Sequence, residues 1–79
     1  MLNVKILGPG CSNCKRLEAV TRKVIGDLNL DAEVEEVTDI DEIMRYPILA
    51  TPGLVVNEKV MSAGRIPSEA EVAAWLSEA

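Results

Sequence analysis

The chain has 79 residues, 48% of them apolar and 27% charged, a balance that predicts one globular domain over residues 1–79 and leaves no material for a second core. Its 13 acidic and 8 basic residues give a formal charge of −5, which repels phosphate backbones. With one Tyr, one Trp and no Phe to stack on bases, nucleic acid is excluded as a partner.

No histidine is present either, so His general bases, Cys-His and Ser-His dyads and imidazole-ligated metal sites are all removed. The segment Met1–Gly8 carries neither a basic leader nor a small-residue cleavage site, and no window approaches the roughly 20 apolar residues of a membrane span. A cytoplasmic protein without membrane association is expected.

Leu2 to Leu7 alternates, with Leu2, Val4 and Ile6 on one face and Asn3, Lys5 and Leu7 on the other, and predicts a strand. The Lys5 stem is expected to pack while its ammonium reaches water. Gly8-Pro9-Gly10 ends that strand. From Cys14 onward, Leu17, Val20, Val24, Ile25 and Leu28 recur at spacings of three and four, the apolar face of an amphipathic helix.

Ala32 to Val37 then reads as a strand whose Glu33 and Glu35 suit a charge-protected edge. Seven acidic residues fall between Asp31 and Glu42, which fits a solvated edge followed by a helix N-terminus. Asp39 with Glu42 is a capping pattern, and Ile40, Ile43 and Met44 supply a short apolar stripe before Pro47 stops the helix. The runs 53–56 and 60–63, separated by Asn57-Glu58-Lys59, predict an antiparallel hairpin. Ser68 with Glu71 is a capping box opening a last helix that faces inward through Val72, Trp75 and Leu76. The order is βαβαββα, with the first βαβ unit parallel and right-handed.

Cys11-Ser12-Asn13-Cys14 is the sharpest chemical signal, because two thiols separated by two residues at a helix start can close a small disulfide ring. Cys11 would meet the unpaired N–H groups of the helix, which favour a thiolate, with Lys15 and Arg16 adding positive potential. Cys14, one turn in, would lie further from solvent. Cys11 is therefore the expected attacker and Cys14 the resolving thiol. A structural staple is disfavoured, since so short a loop removes only about 2 kcal/mol of unfolded-state freedom. A two-thiolate Cu(I) module and a non-catalytic interaction domain are the alternatives, and no other metal site is expected. Small heavy-metal-binding domains usually place Met where this chain has Pro9, and end on a strand instead of a capped helix.

Taken together, Cys11-x-x-Cys14 after the first strand, Thr51-Pro52 before the third and Gly64 before the last helix resemble the thioredoxin/glutaredoxin superfamily. The nearest likeness is to the short archaeal and bacterial thioredoxin-like redox proteins, and it covers nearly the whole chain. The resemblance implies an α/β minimal thioredoxin-like fold, a four-stranded mixed sheet with two helices on one face and one on the other. It also implies that Pro52 follows a cis peptide beside the sulfurs and that the Thr51 backbone pairs with an extended substrate. The activity implied is exchange of the dithiol with disulfides of a protein substrate, replenished by an external reductase, in a monomer without bound cofactor. The chain departs from the larger relatives in having no Trp before Cys11 and no obvious buried carboxylate to relay protons to Cys14. The paired glycines with which glutaredoxins hold glutathione are not evident around Ala63-Gly64-Arg65.

Overall fold

Alternation from Leu2 to Leu7 produces the strand it predicts, β1 (Leu2–Leu7), which becomes an inner strand because both of its edges find partners. The computed structural model describes residues 2–10, 12–48 and 50–79. On one side β1 pairs in parallel with β2 (Ala32–Val37), with Val4 opposite Val34 and Ile6 opposite Glu36. On the other it pairs antiparallel with β3 (Gly53–Val56), with Leu7 opposite Gly53. The last strand, β4 (Lys59–Ala63), continues from β3, so the sheet order is β2-β1-β3-β4 and β2 is an edge strand, as its Glu33 and Glu35 suggest.

The period-two alternation sorts side chains to two cores. Val4 and Ile6 join Leu54 and Val56 on one face, covered by Leu17 and Val24 of α1 (Ser12–Asp27) and by Val72 and Leu76 of α3 (Glu69–Glu78). Leu7, Val37 and Val55 form the other face, covered by Ile43 of α2 (Ile40–Ile43). Two helices therefore lie on one face and one on the other. Leu17 and Val72 are fully excluded from solvent, and each such side chain contributes about 1.5–3 kcal/mol by leaving water.

Helix α1 ends before Leu28, contrary to the periodic reading, because Asn29 takes a left-handed φ of 53°. The Leu30 N–H then reaches back to the Ile25 carbonyl at 3.0 Å and the Asn29 N–H to Gly26 at 3.2 Å, a Schellman closure that turns Leu30 onto the core and leaves Leu28 exposed. Thr21, polar and outside the apolar pattern, is nevertheless buried, its hydroxyl donating to the Leu17 carbonyl at 2.8 Å.

The α2 stripe is also corrected. Asp39 caps the helix by accepting from the Asp41 N–H. With only one turn of helix, one apolar side chain can face the sheet, so Ile43 is buried while Ile40 and Met44 are exposed. The hairpin turn is tighter than expected. Lys59 already belongs to β4, and only Asn57 and Glu58, with φ of 50° and 67°, make the connection, the paired positive values of a two-residue turn that suits strand twist. At α3 the Ser68–Glu71 capping box forms in both directions.

Candidate active site

The end of β1, the start of α1 and the start of β3 converge at one end of the sheet, because Leu7 opposite Gly53 sets the loops before and after them side by side. Cys14 lies in the first turn of α1, 5% exposed. That turn contains no acidic residue. A Cβ at Gly8 would collide with the Cys14 Sγ and stand 3.1 Å from its Cβ, so the glycine is what lets the sulfur pack against the backbone leaving β1. Gly8 itself is fixed by its N–H donating to the Val37 carbonyl at 2.9 Å. Cys14 is not a free thiol. Cys11, the expected attacker, lies outside the described residues.

The Thr51–Pro52 peptide is cis, with Thr51 exposed and Pro52 buried. The Pro52 carbonyl accepts the Gly64 N–H at 2.9 Å. Gly64 has a φ of +76°, and a Cβ there would stand 3.1 Å from the Ala50 Cβ. Sequence reading places Gly64 only as a glycine before the last helix. The structure adds that its conformation and bareness let the end of β4 clasp the loop carrying Thr51 and Pro52. Pro9 and Thr51 line the same groove.

Two clusters were not visible in the sequence. Glu36 lines a cavity of about 50 Å³ together with Gly8 and Cys14, and it shares a hydrogen bond with Glu18, which raises the Glu36 carboxyl above its ordinary range. Glu18 is driven the other way by that shared bond and by Arg22, whose Nε donates to it at 2.9 Å. A carboxyl that keeps its proton more readily than usual thus borders the same space as the buried sulfur. The signal for it was register alone, since Glu36 is opposite Ile6, two residues before Gly8.

On the α2 face, Lys5 does not simply reach water. Its Nζ donates to Glu58 Oε1 at 2.7 Å and to Tyr46 Oη at 3.0 Å, and the Tyr46 hydroxyl donates to Glu58 Oε2 at 3.1 Å. The Glu58 contact, with help from Tyr46, raises the Lys5 ammonium above its usual value, and Lys5 in turn lowers Glu58. Among the described residues, no three His, Cys, Asp or Glu side chains come together as a metal site. None of the described helices is long and apolar enough to cross a membrane.

A mixed sheet in the order β2-β1-β3-β4, two helices against one, a cysteine at the opening of the first helix and a cis proline at the opening of the third strand define a thioredoxin-like domain. The sequence matches the family model described as "Thioredoxin domain" over residues 2–77. It is 36% identical over 77 residues to a thioredoxin of Methanothermobacter thermautotrophicus, covering 98% of this chain and 100% of that one. It is 33% identical over 72 residues to a thioredoxin of Methanocaldococcus jannaschii, covering 91% and 83%.

Among solved structures, thioredoxin-2 of the malaria parasite superposes with a TM-score of 0.72 at 13% identity, covering 100% of this chain and 84% of that one. The germline-specific thioredoxin Deadhead (Thioredoxin-1) of Drosophila melanogaster does so with 0.66 at 18% identity, covering 98% and 79%. The protein belongs to the thioredoxin family. Its homologues support an oxidoreductase role of the thiol-disulfide type.

Proposed function

We propose that the protein is a cytoplasmic, monomeric protein-disulfide reductase, its 79 residues acting as one domain, with Cys11 as nucleophile and Cys14 as resolving thiol. The observation that carries the assignment of roles is the packing of Cys14 against Gly8, out of solvent. A sulfur so enclosed is poorly placed to meet a bulky partner first, which leaves the first attack to Cys11. Thr51 and Pro52 form the platform on which the substrate's extended backbone lies, Thr51 being exposed and its loop held by Gly64.

In the reaction the Cys11 thiolate attacks one sulfur of the substrate disulfide, forming a mixed disulfide and expelling the other sulfur as a thiolate that takes a proton. Cys14 loses its proton and attacks the Cys11 sulfur, breaking the mixed disulfide and releasing the second substrate thiol. Two electrons have then passed to the substrate, and the protein holds a Cys11–Cys14 disulfide. An external dithiol reductase returns those electrons, so no bound cofactor is required.

The test is to incubate reduced Cys11→Ser and Cys14→Ser variants with a disulfide-bonded test protein and map trapped links by mass spectrometry. Cys14→Ser is expected to accumulate a mixed disulfide through Cys11, and Cys11→Ser to be inert. Trapping through Cys14 alone would invert the roles. Trapping in neither folded variant would overturn the reductase reading.

A further inference from the structure

The single turn of α2 leaves a sulfur in water. Met44 closes that turn, its backbone N–H donating to the Ile40 and Glu42 carbonyls. Its side chain is 75% exposed, more than the other large hydrophobics in water, Ile40 at 58% and Leu28 at 44%. The backbone is therefore fixed while the thioether stands outside the core. Met61, by contrast, packs against the core on the opposite face of the sheet. A small oxidant reaches the Met44 sulfur in the folded protein, whereas the Met61 sulfur is shielded by its packing.

The position of that sulfur gives its oxidation a consequence. Met44 lines a groove of about 280 Å³ together with Ile48, Pro9 and Thr51. Pro9 lies just before the cysteine pair, and Thr51 is the exposed residue of the proposed substrate platform. A change of polarity at Met44 is thus made beside the path of an incoming protein disulfide and not inside the fold. As a thioether the side chain is apolar and unbranched, and it adapts to an apolar neighbour. As a sulfoxide it carries an oxygen that needs a hydrogen-bond donor, which apolar surface pressed against it does not supply.

We propose that Met44 is a peroxide-modification site that brakes exchange with protein disulfides. Hydrogen peroxide is the oxidant: its O–O bond breaks, the Met44 sulfur gives up two electrons and gains an S–O bond, and the other oxygen leaves as water. The cysteine pair is not consumed. A Cys11–Cys14 disulfide is returned to the dithiol by the external reductase, whereas a sulfoxide has no S–S bond for a thiolate to attack. The brake therefore outlasts each redox cycle until a methionine sulfoxide reductase removes it. The modification needs only the exposed sulfur; the brake rests on the reductase reading above.

For the experiment, the disulfide form of the protein is treated with hydrogen peroxide, freed of it, reduced with dithiothreitol and desalted. Peptide mapping by mass spectrometry is expected to show sulfoxide forming several-fold faster at Met44 than at Met61. Reduction of insulin by the treated protein is expected to slow about fourfold or more, the change equivalent to losing one buried methylene. Release of thionitrobenzoate from its small symmetric disulfide, which covers little of the groove, is expected to keep its rate.

Met44→Leu should give the same insulin rate with and without peroxide treatment, and Met44→Gln, polar at the same place, should be slow without it; circular dichroism checks that each variant is folded. Equal oxidation of Met44 and Met61, undiminished insulin reduction by the Met44 sulfoxide form, or a Met44→Leu protein slowed as much as the parent would overturn the proposal. So would a folded Met44→Gln protein as fast as Met44→Leu. An untreated protein that acts on neither disulfide would overturn the reductase reading and the brake with it, while the mapped ratio still decides the modification.

Discussion

Replacing Gly8 with alanine places a methyl group inside van der Waals contact of the Cys14 Sγ and 3.1 Å from its Cβ. Neither atom belongs to a flexible chain end, since Cys14 is 5% exposed in the first turn of α1. Relief therefore requires moving the helix start or the end of β1, whose Gly8 N–H is tied to Val37. Overpacking of this kind costs about 1–3 kcal/mol, and a contact this close belongs in the upper half, about 2–3 kcal/mol. A domain of this size loses about 4–8 °C of Tm per kcal/mol, so the midpoint should fall by about 10–20 °C.

Gly8 is not among the glycines with positive φ, which are Gly10 and Gly64, so the loss reports the collision and not backbone strain. The comparison variant is Gly26→Ala, where a Cβ meets nothing within 4 Å on the last turn of α1. That change should raise stability by up to about 1 kcal/mol through helix propensity. Parallel thermal melts by circular dichroism decide the matter. A Gly8→Ala protein melting within about 2 °C of the parent would refute the close packing of Cys14 on this strand end.

The remaining predictions are structural. The buried Ser62 hydroxyl has no hydrogen-bond partner among the described residues, so Ser62→Ala should be neutral or stabilise by up to about 1 kcal/mol in a denaturant melt. Ser68→Ala, removing the cap of α3, should cost about 1 kcal/mol. Arg65 first, then the Ser68 backbone, lowers the Glu71 carboxyl from 4.5 to about 2. A lowered pKa stabilises the folded state above the unfolded value, so this contribution is complete above pH 4.5 and is lost as pH falls toward about 2. Glu71→Gln should flatten the stability profile in that window. Tyr46→Phe removes the hydroxyl joining Lys5 to Glu58. It should cost about 1 kcal/mol and move the NMR titration of Glu58 upward, because Tyr46 supports Lys5 in holding that carboxylate low.

What was legible in the sequence was whatever depends on neighbours along the chain. Alternation set β1 and β2, three-and-four spacing set the inner face of α1, and Ser68 with Glu71 set the start of α3, because each is decided within a turn or a pleat. Cis Thr51–Pro52 was legible only through family resemblance. What remained hidden depends on residues far apart. Lys5 finds a carboxylate 53 positions away at Glu58, and no local pattern distinguishes that ending from an ammonium in water. Gly8 and Gly64 were visible as glycines, but what their missing side chains make room for emerges only when α1 packs on the end of β1, for Cys14, and β4 pairs with β3, for Ala50. The apolar stripe of α2 misled because periodicity predicts a shared face without saying how much sheet there is to cover it. One turn covers only Ile43.

The bond from the Gly64 N–H to the Pro52 carbonyl gives the proposed substrate platform a built-in reporter. Gly64 is exposed, so deuterium would reach its amide readily if the bond were absent. Exchange at that proton is therefore governed by how often the end of β4 lets go of the loop carrying Thr51 and Pro52. The rate can be followed without a label or a substitution, in the oxidised and the reduced protein alike. A single protection factor then measures how strongly electron loading at the cysteines is felt at the far end of β4.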